Sequence, residues 1–215
     1  MTATSFPAVD VERQALLRRG LRLEWLTVGW NLAEAVVSVA AGLLAGSIAL
    51  IGFGLDSVIE SFSGAVMLWR LRAEQRDGER ERLERRALRL VGLSLFALAA
   101  YVAFDAARSL WQREAPEQSY VGMAIAVLSL IVMPLLARAK RRVAARLGSA
   151  AMHADSRQTD ICAYLSAILL AGLALNAALG WWWADPVAAL AMVPLIAYEG
   201  SEAVRGKTCC DTVCA

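Results

Sequence analysis

The chain is a series of long apolar segments separated by short polar connections. A helix rises 1.5 Å per residue, so about 20 residues cross the roughly 30 Å hydrocarbon layer of a membrane. Six segments come close to that length, and they lack the polar face that a helix in a soluble bundle would present. They cover Glu24–Leu44, Ile48–Trp69, Leu88–Leu110, Tyr120–Leu136, Asp160–Leu179 and Trp183–Tyr198. The pattern predicts an all-α membrane protein with six transmembrane helices.

The segments divide the chain into three parts. Residues 1–23 form an N-terminal segment, residues 24–200 a six-helix transmembrane domain, and residues 201–215 a short tail. Within the first part, Val11–Arg22 places arginines among leucines, which is typical of either an amphipathic helix on a membrane surface or a short solvated helix. Cys209, Cys210 and Cys214 in the tail are candidates for a soft metal or for lipid attachment, or are simply reduced thiols.

The distribution of charge indicates how the helices cross the membrane. Hydrophobic residues make up 58% of the chain and charged residues 20%, with a net charge of +2 that implies no nucleic-acid partner. All of the 22 lysines and arginines except Arg108 and Arg113 fall on one side of the six-span topology. Because basic loops stay in the cytoplasm, both termini are predicted there. We expect a multi-pass protein of a bacterial inner membrane.

The second segment contains two acids, Asp56 and Glu60, in otherwise apolar surroundings. Residues four apart lie on one face of a helix, about one turn from each other. Acids inside a membrane are energetically costly and commonly mark ion or proton paths. The alternative is that one acid pairs with an arginine in the bundle or accepts hydrogen bonds from a neighbouring helix. No arginine lies centrally in any predicted span, which favours the ion path.

A second group of candidate ligands precedes the fifth segment, in the run Met152–Asp160. Successive helical residues turn by about 100°, so Asp155 and Asp160 point in directions roughly 140° apart and cannot both face one small site. Either Asp155 or the pair Ser156 and Asp160 should line the site. His153, the single histidine of the chain, is as consistent with an interfacial residue as with a ligand.

Two further acids lie within the apolar segments. Glu34 is as deep in the first segment as the acid pair is in the second, and it follows Asn31 on the same helix face. It is therefore a candidate for lining the same path. Asp185 begins the sixth segment just before Pro186, which is typical of an N-terminal helix cap.

Two stretches resemble the cation diffusion facilitator family. They are Ala41–Leu50 followed by Asp56-Ser57-Val58-Ile59-Glu60, which is similar to the family's first helical hairpin, and Ala184–Leu190, which is similar to the start of its sixth helix. The resemblance covers residues 25–205 and is greatest to the short "cation transporter" branch, which lacks the soluble C-terminal domain. It implies a six-helix homodimer that exports zinc or related divalent cations in exchange for protons.

The resemblance also implies a set of metal ligands. Family members use two ligands four apart on the second helix, which Asp56 and Glu60 match with Glu in place of the usual Asp. The histidine-and-aspartate pair of the family's fifth helix is absent, since His153 does not fall in the expected register. In the short branch an aspartate precedes a Cys-x-Tyr-Leu-Ser run. This favours Asp155, ahead of Cys162–Ser166, with Asp160 as second choice.

These observations combine into one functional interpretation. We expect a transporter in which Asp56, Glu60 and Asp155 bind a divalent cation near the middle of the membrane, with Glu34, Asp160 or His153 completing the site. Zinc is the first choice, with manganese and iron as alternatives, and proton-coupled alternating access is the expected mechanism. No organic cofactor is expected. A membrane metal sensor or interaction scaffold with the same fold is the competing hypothesis. An enzyme fits poorly because no nucleophile–base arrangement is present.

Overall fold

The computed structural model describes residues 6–72, 78–113 and 116–205, and over these ranges it consists of α-helices without strands. Six helices are long and apolar enough to span a membrane, which confirms the predicted all-α membrane fold. The helices are α1 (Phe6–Ala45), α2 (Ile48–Arg72), α3 (Gly78–Gln112), α4 (Tyr120–Leu147), α5 (Ala150–Leu179) and α6 (Ala184–Arg205). The orientation of the bundle in the membrane stays a prediction.

Several helices continue well beyond the apolar segments that predicted them. Val11–Arg22 belongs to α1, so it is not a separate surface helix. The α4 and α5 helices meet at a tight turn, which makes most of the basic stretch between the fourth and fifth segments helical. Gly148 ends α4 in the left-handed conformation (φ 62°), and Ser149 caps α5 by accepting a hydrogen bond from the Met152 amide. The three tail cysteines lie outside the described residues.

The second helix is the centre of the bundle. It packs against α1, α3, α5 and α6, while α4 packs mainly on α5 and α3 mainly on α6. Leu50 and Phe53 of α2 are fully buried in one continuous apolar core. The other helices contribute buried side chains to this core, among them Leu95, Val102, Leu165, Leu169, Met192 and Ile196. Any polar group on the inner faces of α2 is therefore shielded from both water and lipid.

Asp185 joins the starts of α2 and α6. Its carboxylate accepts hydrogen bonds from the Ser47 hydroxyl and from the backbone amides of Ile48 (2.9 Å) and Ala49 (3.4 Å). These amides are the otherwise unpaired donors at the start of α2. The sequence predicted a capping role for Asp185 within its own helix; the structure shows that it caps α2 instead.

Close contact between α1 and α2 depends on Gly54, two residues before Asp56. A Cβ atom added at this glycine would lie 2.9 Å from the backbone nitrogen of Val39 and 3.1 Å from the Cβ of Ser38. Because both obstacles are close to the α1 backbone, rotation of a side chain cannot relieve the clash. The absence of a side chain at Gly54 therefore sets the separation of the two helices beside the acid pair.

We predict that Gly54→Ala destabilises the bundle, because α1 must move away from α2. Overpacking of this kind costs typically about 1–3 kcal/mol. Gly29→Ala in α1 is the matched control, because no atom lies within 4 Å of its added Cβ. There, alanine should be neutral or stabilising by up to about 1 kcal/mol. SDS titration monitored by circular dichroism measures both changes. Equal stability of the two variants would contradict the close packing at Gly54.

Candidate functional site

Both acids of α2 are buried in the bundle. Asp56 is 1% and Glu60 is 6% exposed. Asn31 of α1 donates a hydrogen bond from Nδ2 to Oε2 of Glu60 at 3.0 Å. Neither carboxylate oxygen of Asp56 has a hydrogen-bond partner within the described residues. A buried, unsatisfied carboxylate is energetically expensive, so Asp56 needs a proton or a cation nearby.

Glu34 of α1 lies beside this pair. Its Oε2 atom accepts a hydrogen bond from the Ser57 hydroxyl at 2.9 Å, and the Cys162 sulfur lies 3.9 Å from the same oxygen. The three carboxylates are close enough for their charges to interact. The structure thus brings together Glu34, Asp56 and Glu60, three of the six ligands predicted from the sequence.

A fourth acid, Glu199 of α6, faces the same group and was missed by the sequence analysis. It is 5% exposed, and its charge interacts with those of Asp56 and Glu60. We refer to Glu34, Asp56, Glu60 and Glu199 as the central acid cluster. Glu199 follows Tyr198, where the apolar segment was taken to end, and an acid at that position is typical of a helix end at the membrane surface. Its burial depends on the packing of α6 against other helices of the bundle, which no local pattern indicates.

Asp155, the preferred fifth-helix ligand, is paired with a lysine in the structure. Lys140 of α4 donates hydrogen bonds to Asp155 and to Oε2 of Glu24, the latter at 3.0 Å. Lys140 and Glu24 are fully buried. We call Glu24, Lys140 and Asp155 the Lys140 triad. The positive charge of Lys140 also acts on Glu60, so the triad lies within electrostatic range of the central acid cluster.

From the sequence, Lys140 falls among the basic residues of a loop between the fourth and fifth segments, whereas in the structure it lies on the buried face of α4. Lys140 follows Met133 and Ala137 on the buried face of α4, at helical spacing. Continuing the period of this face past Leu136 would have identified it as an interior position. The bundle therefore does contain a buried ion pair, but it is formed by a lysine and does not include either acid of α2.

The remaining fifth-helix candidates lie elsewhere. Asp160 is half-buried and forms an ion pair with Arg141 at 2.9 Å, while His153 is exposed. Ser156 is buried, but its hydroxyl donates to the His153 carbonyl oxygen of its own helix. The structure confirms that Asp155 and Asp160 point to different neighbours. Within the described part of the chain, neither aspartate nor His153 contacts the α2 acids through a hydrogen bond or ion pair.

In their present positions, the side chains do not form a complete metal-binding site. Among the described residues, no three His, Cys, Asp or Glu side chains converge closely enough to hold one metal ion. The central acid cluster is instead a set of neighbouring carboxylates, two of them held by donors and two without. Binding of an ion there requires side chains to turn toward one another.

Comparison with known proteins identifies the family. The model for the cation efflux transmembrane domain matches residues 25–206. The chain belongs to the cation efflux family. This confirms the resemblance seen in the α2 and α6 motifs, and the matched region includes every member of the central acid cluster.

Two curated relatives are similar over most of this chain. An uncharacterized transporter of Synechocystis sp. is 25% identical over 186 residues, which are 84% of this chain and 60% of that protein. Transmembrane protein 163 of Xenopus laevis is 27% identical over 146 residues, 67% of this chain and 51% of that protein. The chain thus spans between half and two thirds of the length of these relatives.

We predict that Lys140→Met destabilises the protein strongly, because it leaves the carboxylates of Glu24 and Asp155 buried without a cation. Breaking a buried ion pair in this way costs about 3–5 kcal/mol. Arg141→Met is the matched control, since it removes the adjacent cation from a partly exposed pair with Asp160 worth at most about 1 kcal/mol. Unfolding in SDS compares the two. A smaller loss for Lys140→Met than for Arg141→Met would show that the triad does not stabilise the fold.

Proposed function

We propose that the protein transports a divalent metal cation through the central acid cluster, with Asp56 and Glu60 as the principal ligands and Glu34 as a third. Zinc is the first-choice substrate, and manganese or iron are the alternatives. Transport is coupled to protons and proceeds by alternating access around this site. Membership of the cation efflux family and six membrane-spanning helices support the proposal.

The observation that carries the proposal is that the carboxylate of Asp56 has no hydrogen-bond donor or cation beside it among the described residues. The aspartate lies in the central helix, is almost completely buried, and has neither a donor nor a basic residue as a partner in the described chain. The one lysine buried nearby is already bonded to Glu24 and Asp155. A mobile cation, exchanged for protons, provides the missing positive charge without a fixed residue.

The ligand chemistry favours zinc among divalent cations. Carboxylates alone suit manganese or magnesium, whereas a thiol in the same site shifts preference toward softer ions such as zinc. Cys162 lies beside Glu34 and is fully buried against the cluster. A carboxylate and thiol must lose their protons to bind metal, so uptake of the ion and release of protons are linked.

We still propose that α5 can supply a metal ligand, but its candidate side chains would have to leave their present partners or positions. Asp155 can bind the ion only by exchanging its bond to Lys140 for one to the metal. Asp160 and His153 would have to leave their present surroundings at the edge of the bundle. We also propose that the protein works as a homodimer in a bacterial inner membrane, as the family resemblance implies.

We predict that Asp56→Asn lowers metal flux at least about tenfold, because it removes a charged ligand while keeping the size of the side chain. Asp105→Asn, the same change in α3 away from the cluster, should keep the flux. Proteoliposomes containing a zinc-sensitive dye and a pH-sensitive dye measure cation and proton movement together. Full flux in Asp56→Asn would refute the site. Absence of zinc, manganese and iron flux in the unaltered protein would favour the sensor or scaffold.

We further predict that Cys162→Ser changes the selectivity more than the rate. Serine is a poor ligand for zinc, so the preference for zinc over manganese should fall about tenfold. Ser166→Ala, one turn further along α5, is the control for disturbance of this helix, because its hydroxyl bonds only to the Cys162 carbonyl oxygen. Competition between the two metals in the same vesicles gives the ratio. An unchanged ratio would remove Cys162 from the site.

A further inference from the structure

A close crossing of α6 and α3 lies beside Glu199 in the sequence. A Cβ atom added at Gly92 of α3 would lie 2.7 Å from the carbonyl oxygen of Gly200, and one added at Gly200 would lie 3.1 Å from the carbonyl oxygen of Gly92. The two backbones therefore touch immediately beside Glu199. Next to this contact, Glu199 is buried although it lies only six residues before the end of α6.

The carboxylate of Glu199 lacks any compensating group among the described residues. Neither of its oxygens has a hydrogen-bond partner, although the residue is more than nine-tenths buried. The charges that act on it are those of Asp56 and Glu60, both acidic. Asp56 is unpartnered in the same way, whereas Glu34 and Glu60 each accept a side-chain hydrogen bond.

This contrast separates the central acid cluster into fixed and free members. Ser57 and Asn31 hold Glu34 and Glu60 in place, while Asp56 and Glu199 can rotate without breaking a hydrogen bond to another side chain. Meanwhile Asp155, the ligand expected from α5, is bonded to Lys140. A ligand from α6 would thus complete a site that α5 leaves incomplete.

We infer that Glu199 is a direct ligand of the transported divalent cation, joining Asp56 and Glu60 from the opposite helix α6. The inference rests on the proposed function and names a ligand that the α2 motif does not include. On binding, the free carboxylates of Asp56 and Glu199 turn toward the ion.

Metal binding to purified protein in detergent tests this inference, with Zn²⁺ and Mn²⁺ used separately as probes. Glu199→Gln keeps the shape of the side chain and should weaken the binding of both metals at least about tenfold. Glu202→Gln, on the same helix three residues later and only partly buried, should stay within about twofold of the unaltered protein. Glu199→His should restore zinc binding but not manganese binding, because imidazole suits zinc.

The outcomes separate failure of this inference from failure of the proposed function. If Glu199→Gln binds zinc normally while Asp56→Asn does not, Glu199 is not a ligand and the proposed transport site stands. If the unaltered protein binds neither metal, both are wrong. If Glu199→Gln is not monodisperse, Glu199→His decides alone. An increased preference for zinc over manganese supports the ligand role, and an unchanged preference overturns it, since a purely structural glutamate would not alter selectivity.

Discussion

The central constraint on this bundle is that a buried carboxylate must be matched by a donor, a cation or a proton. Two acids, Glu24 and Asp155, satisfy it through Lys140. Glu34 and Glu60 satisfy it partly through Ser57 and Asn31, and Asp56 and Glu199 have no partner within the described chain. The bundle therefore contains one group of acids that is paired with a cation, the Lys140 triad, and beside it one group that is not, the central acid cluster. Stability can rest on the first, which leaves the second available for an exchangeable ion.

This division follows from polar residues placed at helical spacing on inward faces. Among the buried polar positions on α1 are Glu24, Thr27, Asn31, Glu34 and Ser38, and among those on α5 are Ser156, Thr159, Cys162 and Ser166. Both sets repeat every three or four residues, so each helix turns a polar stripe inward and apolar residues outward. The stripes meet α2 along its acidic face. The glycine contact at Gly54 brings α1 close enough for Ser57 and Asn31 to reach their partners.

The sequence predicted the six helices, because the length of an apolar segment is a local property. It predicted the two acids of α2 for the same reason, because their i, i+4 spacing is also local. It failed where a position depends on contacts between distant segments. Lys140 lay beyond the apolar part of its helix, so the positive-inside rule assigned it to a loop, whereas packing between α1 and α5 buries it. Glu199 likewise lay just beyond the apolar part of its helix, so the sequence placed it at a helix end, whereas packing of α6 buries it. Asp185 was recognised as a cap, but its partner, the start of α2, is 136 to 138 residues away.

The numbers of acidic and basic side chains in the Lys140 triad and in the central acid cluster bear on the proposed proton coupling. The Lys140 triad holds one amine and two carboxyl groups, so it carries no excess of positive charge that would repel an approaching cation. The central acid cluster has four carboxylates, more than one divalent ion can neutralise. In a low-dielectric interior, some of these acids must stay protonated even with the ion bound. If the net charge of the cluster is to stay constant, each divalent cation displaces two protons. In the proposed function, the excess of acids over positive charge in the bundle therefore links cation binding to proton release, whichever metal is the substrate.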